Sequence, residues 1–234
     1  MRTQFVLIPS YNTGFKLQET VISALQYWPD VWVVIDGSND GSEKSLASLK
    51  HSGLRVLQRQ KNGGKGAAIL DGLRIAQDSG FENVLVMDAD GQHPAAEIPA
   101  FMADARRHPG AMILGIPRFD ASAPRIRVWG RKISNVLVRW ETGLPIADAL
   151  FGFRSYPLRE LLNIMESQQS MRGYDFDTEA LVRLCWRGIP LRQHRVAVQY
   201  FRPEEGGISH FHYLRDNLRL AQMHLRLLTK KFLR

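Results

Sequence analysis

Residues 84–94 read Val84-Leu85-Val86-Met87-Asp88-Ala89-Asp90-Gly91-Gln92-His93-Pro94. The run Val84–Met87 has the length and β-branched content of a buried strand. It stops at two carboxylates one residue apart. In an open α/β sheet the C-terminal strand ends form the ligand side, so Asp88 and Asp90 are expected at the mouth of a site. Two carboxylates beside Gly91 can hold a hard divalent cation and leave positions open for phosphate oxygens. An acidic strand-to-loop turn gives the same Asp-x-Asp pattern; the glycine-rich turns upstream favour the cation site.

Upstream, Phe5–Pro9 and Val31–Ile35 read as strands and Arg55–Leu57 as a weaker third. Between and after them fall helical patterns at Leu17–Trp28 (Leu17, Val21, Leu25 on one face), Ser42–Leu49 and Ala67–Ala76. Ile98–Arg107 continues as helix and Ala111–Ile116 as strand. Such alternation predicts a mostly parallel, Rossmann-like α/β sheet flanked by helices, with right-handed crossovers. After Gly115 the pattern changes. Residues 118–132 are polar and basic and read as a mobile loop or amphipathic segment. Helices are expected at Ile133–Trp140, Pro157–Met165 and Asp175–Arg187, and a late strand at Val196–Phe201. Residues 211–232 predict a long amphipathic C-terminal helix, with Phe211, Leu214, Leu218, Ala221, Leu225, Leu228 and Phe232 as its apolar seam.

With 234 residues, the chain has room for one large domain and an appendage, and its 44% hydrophobic content suffices for a core. The single cysteine, Cys185, excludes an internal disulfide framework and fits a reducing compartment. It sits in a helical pattern with Leu181 and Leu184, as buried filler would. No apolar stretch reaches membrane-spanning length, and Met1-Arg2-Thr3-Gln4 leads straight into a strand, unlike a signal peptide. A net charge of +8 and a pI near 9.9 point to an anionic partner. Zinc spacing, basic-region helices and RNA-binding aromatic motifs are missing, which argues against nucleic acid.

The first strand ends in Pro9-Ser10-Tyr11-Asn12 and the second in Asp36-Gly37-Ser38-Asn39-Asp40-Gly41-Ser42. Small residues there let a ligand approach the backbone. Asp36 suits a base edge or ribose and Tyr11 suits stacking on a base. The competing reading is a capped helix start, with Asp40 or Ser42 as the cap. Lys61-Asn62-Gly63-Gly64-Lys65-Gly66 lacks Walker spacing; it is a flexible basic turn opening a helix, suited to a phosphate-bearing ligand. Gly-x-Gly-x-x-Gly is absent after the first strand, which argues against a dinucleotide dehydrogenase.

Taken together, Ile8–Asn12, Val33–Ser42, Lys61–Ala68 and Met87–Pro94 resemble, in order and spacing, the N-terminal half of a family-2 glycosyltransferase with the GT-A fold. The resemblance runs on through Asp148–Arg154, similar to an acceptor segment, and Tyr174–Glu179, similar to a second acidic motif at a helix start. Arg202–His210 and Gln92-His93-Pro94 resemble the dolichyl- and polyprenyl-phosphate sugar transferases. What this implies is a nucleotide-sugar half over about 1–117, an acceptor half over about 118–206, together a catalytic domain 1–206, and a C-terminal basic helix 207–234. It further implies a nucleotide-sugar site at Pro9, Tyr11, Asn12, Asp36, Ser38, Asp40, Lys65, Gly66, Asp88 and Ala89. Mg²⁺ or Mn²⁺ would be held by Asp88 and Asp90 with help from Gln92, and transfer would invert the anomeric centre. Two positions depart from the family pattern. Ile35-Asp36 stands where it usually has two acidic or amide residues, and His210 where it has lysine.

A phosphate acceptor is ionised near neutral pH and needs positioning by arginines, not a base. Candidates are Arg118, Arg131, Ser134, Arg202, Ser209 and His210, with Asp148 and Gly152 in the acceptor segment. Arg131 fits the family's arginine-before-serine pattern best. A hydroxyl acceptor would need a general base, for which Asp177 and Glu179 are the candidates beside the catalytic Asp90; helix capping is their bland role. Arg215, Arg219, Arg226 and Lys230 flank the terminal helix, whose first half is expected to pack against the catalytic core and whose last turns, Leu227–Arg234, suit an anionic membrane. The expected location is therefore cytoplasmic, peripheral at the inner membrane face. A nucleotidyltransferase and a non-catalytic lipid-binding protein are the rival classes; the Asp148 and Asp177 motifs oppose the first and the carboxylate pair the second.

Overall fold

A computed structural model describes residues 3–118, 125–198 and 213–233, with the side chains of 125–129 and 213–214 outside that description. Seven strands form one sheet: β1 (Gln4–Ser10), β2 (Val31–Asp36), β3 (Leu54–Arg59), β4 (Asn83–Val86), β5 (Met112–Arg118), β6 (Arg154–Pro157) and β7 (Leu191–Ala197). Their order is β3-β2-β1-β4-β6-β5-β7. Every pairing is parallel except those of β6, which runs antiparallel to both β4 and β5. The helices are α1 (Lys16–Tyr27), α2 (Lys65–Gln77), α3 (Ile98–Arg107), α4 (Arg125–Thr142), α5 (Leu158–Glu166), α6 (Phe176–Trp186) and α7 (Tyr213–Phe232).

Period-two alternation along the strands divides the core between the two faces of the sheet. Phe5 and Leu7 of β1 pack into one cluster with α2, α5 and α6. Val6 and Ile8 pack into the other, with α1 and α3. The register sets the site. Leu7 lies beside Val86, Ser10 beside Ile35, and the Met87 N–H donates to the Leu7 carbonyl (3.0 Å). Pro9, Asp36 and Asp88 therefore leave the sheet together along one edge.

Several expectations change. The basic stretch 118–132 merges at Arg125 with the Ile133–Trp140 helix into one element, α4. Ser42–Leu49 shrinks to a 3₁₀ turn over Ser42–Leu46. Strand β6 went unread because it is four residues long, opens on an arginine and ends on a proline. Its insertion brings the preceding segment 148–153 to the end of β4. Strand β7 starts five residues earlier than expected, and residues 199–201 lie outside the described chain. Its polar residues have partners: Arg192 Nε (2.7 Å) and His194 Nε2 (2.8 Å) both reach Asp104 of α3.

The largest change concerns α7. Its expected seam is not its packing face, since Leu218, Leu225 and Phe232 are 60–75% exposed. The buried side is Asp216, Met223, His224 and Leu227. Burial of polar residues there is supported by partners: His224 Nδ1 is 2.8 Å from Glu141 Oε1, and His224 Nε2 is 3.1 Å from Ser134 Oγ, both on α4. Among the described residues no helix is long and apolar enough to cross a membrane.

Candidate active site

The first two turns brace each other. The Asn12 N–H donates to Ser38 Oγ (3.0 Å), its side-chain amide to Asn39, and the Gly14 N–H to Asp40 (2.8 Å). Asp40 also accepts the Ser42 N–H (3.0 Å). Burial opposes its charge, but the hydrogen bonds from Ser42 and Gly14 outweigh this and hold its pKa below the usual carboxylate value. Asn12, Ser38 and Asp40 thus tie turn to turn, whereas Pro9, Ser10, Tyr11, Thr13 and Asp36 line a cavity of about 750 Å³.

Asp36, almost fully buried, shapes the next wall. It accepts the N–H groups of Gly63 (3.0 Å) and Gly64 (2.8 Å) and pairs with Arg59, which also holds Asp71 at 2.7 Å. The turn it fixes packs against residues 171–173. A Cβ on Gly66 would stand 2.0 Å from the Met171 carbonyl oxygen, and one on Gly64, at φ +96°, 2.4 Å from that of Arg172. Gly66 is therefore a contact of backbone with backbone beneath the cavity wall, and the Ala67 N–H donates to Arg172 (3.1 Å) across it.

Lys65, the next side chain, is the centre of the site. Its Nζ lies 2.7 Å from Asp88 and 2.7 Å from Asp177. Burial disfavours the ammonium, but the Asp177 and Asp88 charges overcome it and raise its pKa. Asp88 is in turn lowered: burial works against its charge and Lys65 prevails. Asp90 has no such partner. Burial and the neighbouring Asp88 charge push it up to about 6; its Oδ1 accepts the Gln92 N–H at 3.0 Å. His93 Nδ1 accepts the Asp88 N–H (2.9 Å), which leaves the proton on Nε2, 3.5 Å from Asp88. Burial pushes His93 down to about 4, so it is neutral at pH 7. Beneath, the fully buried Arg154, the last residue of the acceptor-like segment, donates to the carbonyls of Phe151 (2.7 Å) and Asp177.

Past Asp88 and Asp90 lies a smaller cavity of about 100 Å³, lined by Gln92, His93, Arg131, Phe151 and Gly152. Asp148 receives both hydrogen bonds from Arg131 Nη1 (2.8 and 2.7 Å) and the N–H groups of Leu150 and Phe151, so it aims the arginine. A Cβ on Gly152 would meet Lys65 Nζ at 2.7 Å and Asp88 at 2.9 Å. Only glycine lets the chain cross the Lys65–Asp88 pair this closely.

Other candidates stand elsewhere. Ser134 turns toward His224 in the α4–α7 interface. Glu179 is completely buried and accepts from Ser170 (2.8 Å), Arg183 (2.7 Å) and Arg226. Neither Asp177 nor Glu179 lines either cavity. Arg118 is exposed at the end of β5, and Arg202, Ser209 and His210 lie outside the described residues. Sequence reading missed the inward face of α7: Arg215, Asp216, Arg219, Gln222 and Arg226 line the large cavity.

With this geometry in view, residues 5–177 match the model of glycosyl transferase family 2. The chain belongs to that family. It is 30% identical over 193 residues to a polyprenol monophosphomannose synthase of Mycolicibacterium smegmatis, covering 79% of this chain and 71% of that one. An undecaprenyl-phosphate mannosyltransferase of Micrococcus luteus is 27% identical over 195 residues, 78% of this chain and 77% of the relative. Glucosyl-3-phosphoglycerate synthase of Mycobacterium tuberculosis, solved with Mn²⁺, UDP-glucose and phosphoglyceric acid, superposes with a TM-score of 0.72 at 20% identity, over 98% of this chain and 79% of that one. This last likeness shows the GT-A fold. The protein is a family-2 glycosyltransferase that uses a nucleotide-sugar donor.

The residues present fit a divalent cation. Asp88 and Asp90 are adjacent carboxylates, and the burial and Asp88 charge that together raise Asp90 are both costs that a bound cation would offset. Among the described residues no three His, Cys, Asp or Glu side chains converge. A cation held by these two carboxylates would leave positions open for ligand oxygens.

Proposed function

We propose that this glycosyltransferase moves a sugar, with inversion, from its nucleotide donor to a polyprenyl phosphate or a related lipid-linked phosphate. The observation that carries this reading is the wall beside Asp90. It holds Arg131, aimed by Asp148, while the two candidate bases beyond the Asp88–Asp90 pair are engaged: Asp177 by Lys65, and Glu179 by two arginines and Ser170. A phosphate oxygen is already a nucleophile, so a guanidinium that orients it suffices.

In this reading Pro9, Tyr11 and Asp36 receive the nucleoside, with Asn12, Ser38 and Asp40 bracing their turns. Asp88 and Asp90, with Gln92, would hold Mg²⁺ or Mn²⁺, which when bound would supply Lewis-acid neutralisation of charge on the diphosphate. Lys65 adds a positive charge and Ala89 gives close backbone approach, while Gly66 packs beneath the wall against Met171. The acceptor oxygen forms its bond to the anomeric carbon in line as the bond to the nucleoside diphosphate breaks, and the diphosphate leaves with the electron pair. Arg131 orients the acceptor phosphate, joined by Arg118, Arg202, Ser209 and His210. The partition into a donor half, an acceptor half and a terminal helix belongs to the same reading.

Membrane attachment is supported by two adjacent helices with outward apolar stripes: Ile133, Val136 and Trp140 on α4, and Leu218, Leu225 and Phe232 on α7. Lys132, Lys230 and Lys231 lie along them. Apolar side chains among cations suit the headgroup boundary of an anionic leaflet at the cytoplasmic face.

The test is a transfer assay with UDP- and GDP-hexoses, Mn²⁺ and farnesyl monophosphate. The expected product is a prenyl phosphosugar, and Asp177→Asn lowers kcat by less than about tenfold, below the usual contribution of a general base. Transfer only to a hydroxyl acceptor, lost by several orders of magnitude in Asp177→Asn, would overturn the reading.

A further inference from the structure

Arg215, Arg219, Gln222 and Arg226 occupy positions i, i+4, i+7 and i+11 of α7, one stripe of the helix, and all four line the large cavity along with Asp36, Lys65 and Asp88. The basic flank of an amphipathic terminal helix ordinarily serves solvent or membrane. This one faces inward. Buried contacts set its direction: Met223 and Leu227 are in the core, His224 is fixed between Ser134 and Glu141, and Arg226 pairs with Glu179. With those positions anchored, helical periodicity turns 215, 219 and 222 to the cavity.

Arg215 and Arg219 share one carboxylate, Asp216, at 3.2 and 3.9 Å. Each guanidinium has five N–H donors, more together than one carboxylate accepts. Each side chain also keeps 56% of its surface exposed. Two under-used guanidinium forks on the wall of a cavity that holds Lys65 and the Asp88–Asp90 pair match the geometry of a phosphate.

We infer that Arg215 and Arg219 bind a phosphate oxyanion in this cavity, so that the C-terminal helix is a wall of the active site. The inference rests on the function proposed above. Within it, the phosphate comes from the donor diphosphate or from the acceptor monophosphate. Arg226, already engaged by Glu179, positions the stripe.

Calorimetric titration of the full chain decides it, with UDP or GDP plus Mn²⁺ in one arm and farnesyl monophosphate in the other. In the Arg215→Ala/Arg219→Ala double variant, affinity is expected to fall about tenfold or more in one arm, the usual worth of a lost charge-assisted hydrogen bond. The variant should still fold, by circular dichroism, at an unfolding temperature lowered by the loss of both arginines beside the buried Asp216, and Arg219→Lys retains part of the affinity. Loss in the first arm names the donor as the source; loss in the second names the acceptor. Wild-type affinities kept in both arms overturn the inference and leave the function standing. So does a defect confined to attachment to phosphatidylglycerol vesicles, because the stripe then serves the membrane. A wild-type chain that binds neither class of phosphate overturns the proposed function itself, and this inference falls with it.

Discussion

Two acidic pairs of the same spacing meet different fates. Asp88-x-Asp90 follows a buried strand, and Asp177-x-Glu179 occupies the first turn of α6. At the strand end the chain is leaving the sheet, so the second carboxylate, Asp90, opens onto both cavities and its pKa is raised to about 6. In the helix the next turn covers the pair. Asp177 is taken by Lys65, and Glu179 by Ser170, Arg183 and Arg226. In the strand-end pair Asp88 shares Lys65 with Asp177, but Asp90 retains an unrelieved charge for a ligand, whereas the helical pair spends its charge joining α2, α6 and α7.

Substitution breaks or sharpens this contrast. Asp90→Asn should lower sugar transfer on the order of a thousandfold, the effect of losing one preorganised stabiliser of developing charge, with the fold intact by circular dichroism. Transfer that survives at wild-type rate would dissolve the contrast. Glu179→Ala should instead cost about 3 kcal/mol of stability, because it strands two arginines around a buried site. Denaturant titration reads that loss, and the molecules still folded should keep near-normal kcat. An inactive variant with unchanged stability would move Glu179 into the chemistry. Asp104 provides the mild case. Burial would raise its pKa, but Arg192 and His194 prevail and hold it at about 2. A lowered carboxylate stabilises the fold above its unfolded value, 3.8, and the contribution is lost as pH falls toward 2. Asp104→Asn should therefore flatten the acid limb of the unfolding-temperature profile between those values; an unchanged limb would deny the pairing any energetic role.

The large cavity, which the proposed function gives to the donor, was legible because several of its residues lie at strand ends, where a change from apolar run to acidic or glycine-rich turn marks the element. Asp88, Asp90 and Lys65 announced themselves in this way. Arg131 was legible through its neighbours in a motif, and its partner Asp148 through another. Ser134, from the same motif, turned out to face α7. Arg154 closes the acceptor-like motif, but its burial and the four-residue strand it opens were not legible, since an arginine there looks like loop. The α7 seam was misread because the heptad of leucines is real but faces outward. The true packing side contains Asp216 and His224, whose partners Arg215, Ser134 and Glu141 include two some ninety residues distant. Pairwise satisfaction of buried polar groups is invisible to periodicity.

The contact of His224 with Ser134 and Glu141 also works as a register pin. It decides which way the helix is clocked: arginines toward the cavity and leucines away from it. Each residue advances an α-helix by about 100°, so one residue inserted between Arg219 and His224 would keep the pin and turn everything before it by more than a quarter of a circle. Composition, length and charge would hardly change, yet the arginine stripe would leave the cavity and the sidedness of the helix would be lost. What α7 contributes is thus encoded less in its residues than in the number of residues between them.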